Sequence, residues 1–267
     1  MENEDGNDKN ILPALAKDVY KDVVHPAAEN TGKVLALLPQ AIYSVLLPLR
    51  KWILYRDAQF EAVEQLLAKK LETVPPDQIV PPEPHVAVPA LNAISYSMDS
   101  EELRNMYANL LSSSMSKGKK EYVHPSYVEI IKQLSPDEAR IIRFMESFRS
   151  AIPAIKLRED FGNNAGGVDR SAWFTQLYKL VTDLEVKDEG RIAVYVDNLV
   201  RLQLLRIPDE RYLAEEQQYV AVENDPIILS IKNSPLPPGH SWSVTKGYIE
   251  MTVFGNAFCA VCIRGVR

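Results

Sequence analysis

Apolar residues recur every three or four positions through most of the chain, so the pattern predicts a mainly helical protein. Phe60, Val63, Leu67 and Leu71 mark one face of a helix within residues 11–73, leaving Lys69, Lys70 and Glu72 largely on its wet side. A helix is expected near residues 89–96, and after it Asp99 or Ser100 caps a helix that starts at Glu101. Glu101 and Glu102 then lie in its first turn, where the macrodipole favours acids. Its stripe of Leu103, Met106, Tyr107, Leu110, Leu111 and Met115 reads as core packing rather than a cofactor box. His124-Pro125 starts a further helix with Tyr127, Ile130, Ile131 and Leu134 inward. Ser135-Pro136-Asp137-Glu138 is the sharpest local signal, a cap, a first-turn proline and two acids ahead of Ile141, Ile142, Met145 and Phe148.

From residue 135 onward the pattern changes, with short alternating runs between helical ones. Residues 152–157 read as a strand; Trp173, Phe174, Leu177, Leu180, Val181 and Leu184 as a second helix; and residues 191–204 as a third. Residues 205–208 and 248–254 alternate like the strands of a wing, and residues 256–263 close the chain as an apolar helix. Between the wing strands, residues 209–247 form an insertion long enough to carry structure or a binding role of its own. The predicted fold is therefore mainly α: an N-terminal helical region followed by a C-terminal winged-helix-like α+β unit with a small antiparallel sheet. Its expected division is a disordered tail at 1–10, a helical region at 11–73, a proline-rich connector at 74–89, a helical middle at 90–134 and the winged-helix-like domain at 135–267. The connector reads as stiff, because its prolines fix φ and remove amide donors.

Composition is that of a globular chain, with 46% hydrophobic and 25% charged residues in 267. A formal net charge of −6 opposes a large phosphate-binding surface, since nonspecific nucleic-acid affinity comes from Lys and Arg. A DNA-reading unit would have to rely on Arg191, Arg201, Arg206 and Arg211, set against Asp197, Asp209 and Glu210. On that charge argument the winged-helix-like unit is read as a protein-docking or structural module ahead of a DNA reader.

Residues 34–49 carry no charge, but they contain Pro39 and Pro48 and fall short of the ~20 residues that cross a bilayer. A buried helix pair is the preferred reading. In the alternative, a membrane-disrupting segment, Leu46, Leu47 and Trp52 make the lipid contacts. The acidic, polar start has no signal-peptide core, and only Cys259 and Cys262 are present, so a cytoplasmic setting is expected.

Candidate chemistry is sparse. Cys259 and Cys262 have no second Cys or His pair nearby to complete a tetrahedral zinc site, and they read as core thiols. The glycines at 162–167 lack the Gly-Lys-Ser/Thr of a phosphate loop. His25, His85, His124 and His240 are scattered, with His124 read as a helix-start residue. No catalytic, metal or cofactor residue is assigned, and a non-enzyme without cofactors is expected.

Three phrases, VPPEPHVAVPALNAIS, DSEELRNMYANLLSSSM and VHPSYVEIIKQLSPDEARII, resemble the bacterial abortive infection alpha family, and DNLVRLQLLRIP and GYIEMTVFGNAFCAVC extend the likeness. The resemblance implies a role in defence against phage and brings no established catalytic residues. With it, the chain is expected to be a non-enzymatic component of antiphage defence acting through a protein partner or self-association. DNA binding and membrane disruption are the alternatives.

Overall fold

The computed structural model describes residues 57–97, 99–162, 165–181 and 190–266. Helix α1, Asp57–Leu71, buries Val63, Leu67 and Leu71. A 3-10 turn at Pro76–Gln78 and an antiparallel bridge between Ile79 and Ser116 follow. Helix α2, Pro84–Tyr96, starts inside the proline-rich stretch, earlier than expected, because Pro84 occupies the first turn, where a missing N–H is harmless. Pro89 lies within the same helix.

Helix α3, Glu101–Ser114, is the axis of the fold. Ser100 caps it, its Oγ accepting the Leu103 N–H at 3.3 Å. Every residue from Met106 to Ser114 is buried, so the helix is covered all round rather than along one stripe. Its buried serines are satisfied by carbonyls: Ser112 donates to Asn109, Ser113 to Val261 across to the last helix, and Ser114 to Leu111.

Helix α4, Ser126–Lys132, leads to α5, Pro136–Phe148, whose predicted start is a full capping box. Glu138 N–H reaches Ser135 Oγ at 3.3 Å, and Ser135 N–H reaches Glu138 Oε2 at 2.6 Å. The helix ends at Arg149 in left-handed backbone (φ 53).

Four strands follow: β1, Ile152–Asp160; β2, Gly167–Asp169; β3, Leu205–Arg206; and β4, Ser241–Met251. They form one antiparallel sheet in the order β2-β1-β4-β3. Among the described residues four helices lie between β2 and β4: α6, Leu177–Leu180, and α7, Gly190–Arg201, ahead of β3, then α8, Gln217–Glu223, and α9, Pro226–Lys232, inside the long insertion. Helix α10, Val253–Cys262, closes the described chain.

Two local expectations need correction. Trp173 and Phe174 are not helical: Phe174 exchanges both backbone hydrogen bonds with Ile155, at 2.8 and 2.9 Å, and the helix begins only at Leu177. The last strand runs Ser241–Met251 rather than 248–254, so Val253 and Phe254 already belong to α10, whose start Thr252 caps through Gly255 N–H at 2.7 Å.

The sheet separates two cores. Ile152, Ala154 and Ile249 join the main core of α1–α5, α7 and α10. Ile155 and Leu157 face the other way, under Tyr219, Val222 and Ile228 of α8 and α9, with Trp242 and Val244 beside them. The insertion thus supplies the second cover of the sheet.

Candidate functional site

Helix α7 holds the recognition position of the expected DNA reader. Ile192, Val196 and Leu199 are buried at helical spacing, which leaves Arg191, Val194, Asp197 and Arg201 outward. Its flank is bolted to α5 by polar contacts. Tyr195 Oη donates to Asp137 at 3.3 Å, and Asn198 Nδ2 donates to Glu138 Oε1 at 2.7 Å and to the Gln133 carbonyl at 3.0 Å. Arg201 donates to Asn198 Oδ1 at 2.7 Å and to Gln133 Oε1 at 2.9 Å. Arg140 extends the network, pairing with Glu102 at 3.0 Å and Asp137 at 2.8 Å. Partial burial opposes the charge on Glu102, yet its backbone hydrogen bond and Arg140 hold its carboxyl below the ordinary value.

The remaining predicted contacts differ in their settings. Arg206 pairs with Glu250 at 2.7 Å across β3 and β4. Arg191 and Arg211 are exposed, and nine residues of α7 separate Arg191 from Arg201, Asp197 among them. Among the described residues the four arginines share no partner. Leu46, Leu47 and Trp52, with all of residues 34–49, lie outside the described residues, as does His25. Among the described residues no helix is long and apolar enough to cross a membrane.

A cluster that the sequence did not single out sits at the far end of the sheet. Glu159, 3% exposed, accepts from Arg170 Nε at 2.5 Å and meets His240 Nδ1 at 2.5 Å. The His240 hydrogen bond first, and Arg170 next, hold the Glu159 carboxyl below its ordinary value, against the cost of burial. Phe161 packs on the His240 ring, with centroids 5.1 Å apart, and the backbones of Gly162 and Gly239 close on each other. These contacts staple the end of the insertion to the β1–β2 hairpin. A charged residue at an inward position of β1 is the one sequence signal for it, because its partners lie 11 and 81 residues away.

Near the middle of β4, Lys246 pairs with Glu216 and, at 3.2 Å, with Glu223. The Glu216 hydrogen bond is the main cause that raises the lysine above its ordinary value. Lys246 also lies 5.2 Å from the ring centre of Tyr219, whose Oη donates to the Gly247 carbonyl at 2.9 Å.

Other reactive side chains have structural settings. Cys259 and Cys262 are buried as expected, and burial pushes both thiols well above the ordinary cysteine value. His124 Nδ1 accepts the Ser126 N–H at 3.2 Å and lies 2.6 Å from Ser126 Oγ, at the start of α4. Among the described residues no three His, Cys, Asp or Glu side chains are grouped to hold a metal ion.

The abortive infection alpha family matches residues 55–262, which takes in all ten α-helices and four strands named above. The chain belongs to the abortive infection alpha family. Membership of the abortive infection alpha family suggests a role in abortive infection, a form of antiphage defence. No curated protein matches it. A solved structure of an uncharacterized protein from the hydrocarbon-degrading marine bacterium Alcanivorax borkumensis SK2 is similar at 14% identity and a TM-score of 0.35, over 54% of this chain and 94% of that one.

Proposed function

We propose that this abortive infection alpha protein is a non-enzymatic component of antiphage defence that acts in the cytoplasm by docking a protein partner through its C-terminal, winged-helix-like unit. Leaving aside β2 and the inserted α8 and α9, the order α5, β1, α6, α7, β3, β4, with β4 between β1 and β3, supports the winged-helix reading. The observation that carries docking over DNA reading is the use of the arginines: Arg201 is committed to Gln133 and Asn198, and Arg206 to Glu250. A phosphate contact by either requires giving up bonds the fold already uses. The thiols and His124 likewise serve packing and capping, which supports a role without turnover.

The test pairs a phage-plating assay with duplex binding. Reversing the exposed Arg191 and Arg211 to glutamate leaves phage restriction intact under the docking reading. Salt-dependent duplex binding that disappears in the same variant, together with loss of restriction, moves the assignment to DNA. Robust turnover of nucleotide, nucleic acid or lipid by the purified protein overturns it altogether.

A further inference from the structure

Backbone direction fixes which edge of β4 is open. Ile155 N–H and C=O both point to Phe174, and Leu157 C=O accepts from Arg170, so odd positions of β1 face away from β4 and even positions face it. Through the register Ala154↔Gly247 and Lys156↔Thr245, the odd positions of β4 bond β1, and Trp242, Val244, Lys246 and Tyr248 direct their amides and carbonyls outward. Strand β3 covers only Glu250 and Met251. It stops because Pro208 has no N–H to donate and Glu210, in left-handed backbone (φ 54), turns the chain away. Among the described residues none forms a backbone hydrogen bond with the outward groups of Trp242, Val244, Lys246 or Tyr248.

An edge lysine normally deters pairing by its charge, but Lys246 is occupied by Glu216 and Glu223. The chain that leaves β3 and leads to α8 is acidic, with Asp209, Glu210, Glu215 and Glu216 against Arg211, and Glu216 and Glu223 both reach Lys246 on β4. A second copy of this chain would bring a like acidic stretch against it, whereas a basic strand complements it.

We propose that the outward edge of β4, from Trp242 to Tyr248, accepts a basic, extended peptide segment of a partner protein as an added strand. Backbone pairing supplies the attachment, and side chains on the α8–α9 face select a strand that is apolar beside Trp242 and Val244 and cationic at its ends. The inference rests on the protein-docking reading above and names its surface.

The probe is a labelled, blocked peptide, Lys-Thr-Val-Thr-Val-Thr-Lys, titrated into the purified full chain. The expected result is saturable binding, weakened at least about tenfold when glutamates replace the terminal lysines. Of two N-methylated forms, one methylated on the Lys and Val amides and the other on the Thr amides, one loses binding and the other keeps it, because only one set faces β4. Val244→Pro removes an outward donor without touching the β1 ladder and abolishes binding. Should that variant not fold, Asp209→Lys with Glu215→Lys, both at exposed positions, removes the preference for lysine ends. No binding by the wild-type chain, equal binding of the glutamate-ended peptide, or equal behaviour of the two methylated forms overturns the proposal. So does a dimer of the chain that Val244→Pro dissolves, since the edge then belongs to a second copy. Those outcomes leave the docking reading standing; enzymatic turnover defeats that reading without touching the peptide result.

Discussion

Gly255 packs so tightly on Leu204 that a Cβ at this position would come 2.1 Å from the Leu204 carbonyl oxygen. The contact is reinforced by Thr252, whose N–H bonds the same carbonyl at 3.1 Å and whose hydroxyl bonds Gln203 at 2.5 Å. The start of α10 is therefore seated directly on the turn between α7 and β3. Gly255→Ala must push the two backbones apart, at a cost of about 1–3 kcal/mol for an overpacked site. The measurement is urea unfolding, where the midpoint falls with little change in slope. An unchanged midpoint means that the seat yields freely and the close contact is not structural.

Among the described residues Ser135 and Glu138 form the one full capping box, and their substitutions separate two roles. Ser135→Ala removes one acceptor from an orphan amide and costs about 1 kcal/mol. Glu138→Ala costs more, because Glu138 also accepts the Asn198 amide at 2.7 Å and so holds α7 against α5. Thermal unfolding of both variants checks the order. Equal losses would show that the link to α7 adds nothing.

The same cap illustrates what the sequence makes readable. Ser100, Ser135 and the apolar faces of α3–α5 are local, and spacing alone places them. Trp173 and Phe174 mislead because the same spacing that makes a helix face also suits a chain that pairs briefly with β1 before turning, and Phe174 finds Ile155 instead. The first half of β4 escapes notice because its alternate residues Ser241, Ser243 and Thr245 are polar and the strand lies inside what reads as a loop. The insertion's helices α8 and α9 follow from no motif, though its length did point to structure of its own. The Glu159 cluster joins three distant segments, and the open edge of β4 depends on strand order; neither has a local signature.

Acid weakens the staple at Glu159. Its folded carboxyl titrates below the ordinary value, so its contribution to stability is present above the pKa of the unfolded chain and is lost as pH falls through the folded value. Glu159→Gln lacks that titration and should show a flatter dependence of unfolding midpoint on pH across the acid range. Parallel profiles for the two proteins would mean that Arg170 and His240 do not favour the charged form.

Asn109 reaches from the middle of α3 to the end of α10, donating through Nδ2 to the carbonyls of Cys262 at 3.0 Å and Ile263 at 2.8 Å. Those carbonyls are among the last of a helix and have no intrahelical amide to accept, so the buried amide group supplies what the helix end lacks. Asn109→Ala leaves them without that donor and costs about 1–3 kcal/mol. Asn109→Asp is the sharper variant: a carboxylate cannot donate and sets its charge against two carbonyl oxygens, so it destabilises at neutral pH. Because the folded state then favours the protonated acid, the introduced carboxyl titrates above its unfolded value, and part of the loss returns as pH falls. Hydrogen exchange localises the effect, since faster exchange in α10 with α7 unchanged follows only if Asn109 anchors that helix end. Equal stability of the Ala and wild-type chains would instead assign the seating of α10 to Gly255, Thr252 and the packing of Phe258 alone.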